Sequence, residues 1–225
     1  AEHPGLLGEN EYDVAGAATG VVEADMMLGP ERVQQGDVVL ALGSSGLHSN
    51  GFSLVRKIVA DNEWSYTDHH PDFSRALGLE LLEPTMLYTQ ALVSALDAHP
   101  GAIHMLSHVT GGGIAQNLSR VLPQSLGVAL DRGTWSPPAV MRVLADAGNY
   151  ELQALEETWN MGIGMIAIVD AAVVDEVKKS LARAGHTAWQ VGVMTQGSEV
   201  AGYSPTTQAK GVSGGAVALV GEYGN

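Results

Sequence analysis

Cysteine is absent from the 225 residues, which excludes a disulfide framework, a thiolate zinc site and a cysteine nucleophile. Basic residues are scarce. Eleven Lys and Arg stand against 25 Asp and Glu, a net charge of −14. That balance opposes non-specific nucleic-acid binding, which draws on basic surface. It leaves anionic small molecules open, because backbone N–H groups and helix N-termini seat anions without net positive charge. Long apolar runs are missing too: none reaches the roughly 18 residues of a membrane span. The opening residues show no charged start followed by an apolar core, so no export signal is expected. The chain starts at Ala1, and AEHPGLLGENEYDVAG reads as a sequence entered part-way.

What is present is 45% hydrophobic, enough for one large domain or one domain plus part of another. Short apolar runs bounded by turn signals predict strands over 14–23, 38–42, 102–109, 126–131, 163–170, 188–195 and 216–223. Helical spacing places Phe52, Val55, Ile58 and Val59 on one face, with Asn50 as the N-cap. A second helical pattern over 76–98 is split at Pro84. A third puts Ile114, Leu118, Val121 and Leu122 inward until Pro123 stops it. Ser136-Pro137 predicts a helix start, cap then Pro, running to about 147, and a short helix covers 151–159. Asp170 is expected to cap a helix with Val173, Val174, Val177, Leu181 and Ala184 inward, ended by Gly185. Residues 61–75 and 197–215 read as loops. Alternation of strands and helices makes an α/β or α+β domain.

Two junctions share one form: buried strand, small polar loop, amphipathic helix. The first is GSSGLHSNGFS, the second LSHVTGGGIAQN. Glycine lets successive N–H groups turn toward one point, and a helix N-terminus adds its positive dipole end. Each junction is a candidate anion seat, and each holds one histidine, His48 or His108, near the carboxyl end of its strand, where open α/β sheets bind ligands. Neither loop has the Gly-Lys-Ser/Thr of a Walker phosphate loop, and GSSG is not a Gly-x-Ser-x-Gly nucleophile elbow. Each histidine has two readings, a proton carrier or a hydrogen bonder that orders its loop. A third feature, ETWNMGIGMIAIV, sets Asn160 before Gly162 and Gly164 at a strand entry, either a close-packed turn or an amide in a cleft. In TDHHPD, adjacent His69 and His70 point apart, and no metal site is expected.

Together AEHPGLLGENEYDVAGAATGVVE, GDVVLALGSSGLHSNGFSLVRKI, HVTGGGIAQNLSRVLP and NMGIGMIAIV, in this order, resemble the aminoimidazole ribonucleotide synthetase (phosphoribosylformylglycinamidine cyclo-ligase) family. Selenophosphate synthetase, hydrogenase maturation and thiamine phosphate kinase proteins share its architecture but fit these strings less well. The resemblance implies an α/β (α+β) sandwich, a mixed sheet flanked by helices, as in the C-terminal domain of that fold. It implies a cytoplasmic, homodimeric ligase of purine biosynthesis that uses ATP and Mg²⁺ to close the imidazole ring of formylglycinamidine ribonucleotide. No nucleic-acid or membrane partner is expected.

The family's Gly-rich, Lys- and Asp-bearing N-terminal ATP apparatus has no counterpart here. Residues 1–30 therefore read as the end of an N-terminal domain and its link, and 31–225 as a C-terminal α/β domain that would be inactive alone. In that reading the 14–22 strand edge is bare and the first dozen residues are poorly anchored or touch a neighbour. The positions that match are Ser44, Ser45, Gly46, His48, Ser49 and Asn50, then His108, Thr110, Gly111, Gly112 and Gly113, then Asn160. The resemblance makes them holders of ribose phosphate or of the transferring phosphoryl group. It makes His48 or His108 the group that shifts a proton during ring closure; no metal ligand is among them. The other readings are a stand-alone, non-catalytic nucleotide-binding or assembly module, and a sister activity of the superfamily.

Overall fold

A computed structural model describes residues 12, 14, 16–197, 205–209 and 211–224, with backbone alone at 208 and 209. In chain order the elements are β1 (Val38–Gly43), α1 (Phe52–Asp61), α2 (Leu77–Leu81), α3 (Thr89–Ala98), β2 (Ile103–His108), α4 (Gly113–Ser119), β3 (Leu126–Asp131), α5 (Ala139–Gly148), β4 (Ile163–Val169), α6 (Val174–Arg183), β5 (Ala188–Val193), β6 (Thr195–Gln196), β7 (Thr206–Ala209) and β8 (Val212–Val220). They build two four-stranded sheets, β2-β4-β1-β5 and β6-β3-β8-β7. The first is antiparallel throughout. The second is mixed, with β3 and β8 parallel between antiparallel edges.

The continuous apolar run of β1 now has its reason. Val39, Leu40, Ala41 and Leu42 are all fully buried, because both faces of the first sheet are covered. On one face Leu40 and Leu42 pack with Ala91, Leu92 and Ala95 of α3 and Val177 and Leu181 of α6. On the other, Val39 and Ala41 join Val55 and Ile58 of α1, Ile114 and Leu118 of α4, Leu144 of α5 and the second sheet's Val128, Leu130, Val217 and Leu219. Burying each such Val, Leu or Ile contributes about 1.5–3 kcal/mol. The chain passes from β5 in one sheet to β6 in the other across Met194, whose N–H bonds the Asp37 carbonyl at 2.8 Å.

Several expected boundaries move. Residues 16–23 form no strand and are exposed, having no partner edge among the described residues; the expectation for the first dozen residues falls mostly on 1–11, outside the described residues. Asn50 is not the N-cap of α1: Gly51 is, in the left-handed region, and no side chain caps it. Asn50 instead turns its amide back to the His48 carbonyl. α5 begins at Ala139 after Pro138, since Ser136 donates to the Gly224 carbonyl and not to a helix N–H. The expected 151–159 helix shrinks to a 3₁₀ turn, Leu152–Leu155. Asp170 closes a local turn onto the Ala172 N–H, and Ala184 is exposed because α6 ends at Arg183. Part of the 197–215 loop is strand: β8 starts at Val212, and Ser119 Oγ ties α4 to it through the Gly215 carbonyl at 2.8 Å.

Candidate active site

β1 and β2 each pair antiparallel with β4, so they run the same way and end at the same edge, with the start of β4 between them. That register brings the three sequence features together: 44–50 leaves β1, 109–113 leaves β2, and 160–162 enters β4. The strand carboxyl ends at which a site is expected thus lie in an antiparallel sheet, with β4 between them.

The first loop is tightly tied. Ser44 N–H donates to the Gly162 carbonyl at 2.8 Å, and its hydroxyl lies 3.0 Å from the Gly46 carbonyl and 3.2 Å from Asn160 Oδ1. Asn160 is 1% exposed; its Oδ1 also accepts from the Gly162 N–H at 2.8 Å and its Nδ2 donates to the Gly46 carbonyl at 2.9 Å. Asn160 is therefore a buried clamp between the β4 entry and the first loop. His48 is 5% exposed. Its Nε2 accepts the Ser45 N–H at 3.0 Å and the Met86 N–H at 3.3 Å, which puts the ring proton on Nδ1. The single Ser45 hydroxyl hydrogen has the Pro84 carbonyl as its nearer acceptor, at 2.6 Å against 2.9 Å for His48 Nε2. Burial first, and a charge on His108 second, push the His48 imidazole below its ordinary value. Tyr88 donates to the Gly43 carbonyl at 2.6 Å, and burial raises its phenol.

The stretch from Glu156 to Gly164 serves as a spine for both loops. The Glu157 carbonyl accepts the Gly112 N–H at 3.1 Å, and the Gly164 carbonyl accepts the Val109 N–H at 3.0 Å. Gly113 has a φ of +70°, and a Cβ there would collide with the Glu156 carbonyl. Gly164 is the extra residue of a bulge, since Leu42 pairs with Met165 and Gly43 with Ile163. A Cβ at Gly164 would strike the Tyr88 hydroxyl and lie 2.7 Å from His48 Cε1. The spine is anchored by a bidentate pair: Arg132 Nε and Nη2 donate to the Glu156 carboxylate at 2.6 and 2.9 Å, and Tyr223 donates to it at 2.6 Å.

The expected residues divide into ties and open groups. The Ser44, Ser45 and Thr110 hydroxyls donate within the protein, and the Gly112 and Gly113 N–H groups go to the Glu157 and Thr110 carbonyls. Those two N–H groups are thus occupied within the protein. Ser49 and His108 are exposed. Asn50 reaches the second loop, its Oδ1 lying 3.8 Å from where a Gly111 Cβ would be. The motif reading missed Tyr88, Met86 and Pro84; the only hint in the sequence was the gap in helical pattern after Pro84. Among the described residues no three His, Asp or Glu side chains gather as a metal set. No helix is long and apolar enough to cross a membrane among those residues.

A cavity of about 380 Å³ borders the Gly112 turn, lined also by Gln116, Arg132, Gln153 and Glu156 among others. Its cation is spent, because Arg132 is also bonded to the Leu219 and Gly221 carbonyls. The two-loop edge is the better candidate site.

The fold and the candidate site define an α/β domain of two sheets with paired loops at the ends of β1 and β2. Residues 34–204 match the family described as AIR synthase related protein, C-terminal domain, and the chain belongs to that family. The chain is 41% identical over 202 residues to the phosphoribosylformylglycinamidine cyclo-ligase of Sorangium cellulosum, covering 89% of this chain and 58% of that protein. It is 44% identical over 198 residues to the protein of the same name from Thermosynechococcus vestitus, covering 88% and 58%. Thus the chain spans a little over half the length of these relatives. Among solved structures it is similar to thiamine-monophosphate kinase from Stenotrophomonas maltophilia, with a TM-score of 0.55 at 17% identity over 89% of this chain and 55% of that one. It is also similar to the hydrogenase maturation protein HypE of E. coli, with a TM-score of 0.52 at 16% identity over 83% and 54%. At those identities the structural likeness speaks for the fold.

Proposed function

We propose that this chain supplies the C-terminal share of an active site for ATP-dependent closure of formylglycinamidine ribonucleotide to aminoimidazole ribonucleotide. The observation that carries it is the meeting of the 44–50, 108–113 and 160–162 segments at one sheet edge, in a chain whose relatives at 41% and 44% identity bear the cyclo-ligase name. In this reaction ATP converts the formamide oxygen to a phosphoryl ester, the amidine nitrogen attacks that carbon, and phosphate leaves. The exposed Ser49 hydroxyl and the loop N–H groups of Gly46, Ser49 and Gly111 are the donors that would face ribose phosphate or the transferring phosphoryl group, with Ser44, Ser45, Asn50, Thr110, Gly112, Gly113 and Asn160 holding the edge in shape. In this reading no residue of this chain is assigned to Mg²⁺. ATP and Mg²⁺ then fall mainly to parts of the enzyme outside this chain. A homodimeric, cytoplasmic enzyme without nucleic-acid or membrane partners goes with the same reading.

The test is a ¹H–¹⁵N titration of the chain with formylglycinamidine ribonucleotide. Saturable shifts are expected at Ser49, Asn50 and Gly111. A silent spectrum, or shifts confined to the cavity beside Arg132, would refute the proposal.

A further inference from the structure

We propose that His48 is a positioning residue and that His108 is the imidazole left to move a proton at this edge. The inference rests on the reading above that both loops serve one active site. Neither nitrogen of the His48 ring is within a substrate's reach. Nε2 is occupied by the Ser45 and Met86 N–H groups at 3.0 and 3.3 Å. Nδ1 is buried without a partner and faces Gly164, where a Cβ would lie 2.9 Å from it. Protonating Nε2 would set a third N–H against two already aimed at it. A general acid or base needs the reverse: a ring nitrogen within hydrogen-bond reach of the reacting group and able to take up or release a proton. His108 ends β2 at the same edge and is exposed.

His48 holds shape instead. Its ring clasps the first loop to the 84–88 strap, with Ser45 Oγ on the Pro84 carbonyl beside it. Its own carbonyl accepts Asn50 Nδ2 at 2.8 Å, which fixes the side chain that reaches Gly111. His48 and Ser49 both sit in the left-handed region, at φ of 51° and 60°. A non-glycine pair stays there only when its surroundings over-determine it. The titratable groups facing His48 are Tyr88, with ring centroids 6.2 Å apart, and His108, whose charge it feels. Glu83, beside Gly46, is paired with Arg75 at 2.5 Å.

The test is long-range ¹H–¹⁵N spectroscopy of histidine-labelled chain. His48 should show the neutral Nδ1–H pattern at about pH 7, while added ribonucleotide shifts the ring signals of His108 and leaves the His48 tautomer unchanged. Protonation of His48 at that pH, or a proton on Nε2, overturns the assignment. A second measurement uses ribonucleotide affinity. His48→Gln keeps an acceptor near the Nε2 position and should stay within about threefold of the parent, whereas His48→Ala should bind about tenfold more weakly. Equal losses in the two variants overturn the acceptor role. If the parent shows no ribonucleotide shifts, the functional reading fails, and the tautomer still decides what His48 does.

Discussion

At Gly164 the absence of one side chain lets the His48 ring, the Tyr88 hydroxyl and the strand backbone occupy neighbouring space. The consequence for His48 is a buried imidazole that resists charge. Burial and then His108 lower its proton affinity in the folded chain, so the unfolded chain binds that proton more readily. Above the ordinary histidine value of about 6.5 both states are neutral and the effect vanishes. As pH falls through that value stability is lost, and the loss levels off only below the lowered folded value. The urea midpoint of the parent should therefore fall from about pH 7 to about pH 5, and fall less in His48→Gln. Parallel curves for the two proteins would show that His48 carries no such penalty.

The element that organises the site is neither loop but the 156–164 spine between them. It is held from behind by the Arg132–Glu156 pair, whose side chains are 12% and 14% exposed, and it presents Asn160 to the first loop. Asn160→Ala removes the amide contacts to Ser44, Gly46 and Gly162. It leaves the Gly162 N–H without its partner and the Gly46 carbonyl with the Ser44 hydroxyl alone, at an expected cost of about 1–3 kcal/mol in denaturant unfolding. Exchange of the Ser44 amide, which bonds the Gly162 carbonyl, should quicken more than that of amides in the middle of β1. Uniform quickening across β1 would instead mean that the clamp stabilises the whole sheet and not the loop.

For the whole molecule, both faces of the first sheet are buried, one by α3 and α6 and one by the remaining helices and the second sheet. The outside carries a net charge of −14. Self-repulsion of that size opposes the compact state and is screened by salt. Raising NaCl from about 10 mM to about 150 mM should raise the thermal midpoint by a few degrees. A midpoint that drops would indicate that attractive ion pairs, such as Lys57–Asp61, outweigh the net repulsion.

Periodicity and turn chemistry by themselves determined the strands β1 to β5, the split at Pro84 and the inward faces of α1 and α6 near Val55 and Val177, because local spacing sets which side chains can share a face. The loops around His48 and His108 were legible for the same local reason. Strand order was not, since nothing local says that β4 lies between β1 and β2. The roles within the site depended on that order. Only the packed structure sent the Ser45 and Met86 N–H groups to one imidazole and left the other exposed, and it alone brought in Tyr88. A side chain's partners about 40 residues away in sequence are chosen by how buried polar groups must be satisfied once the sheets close.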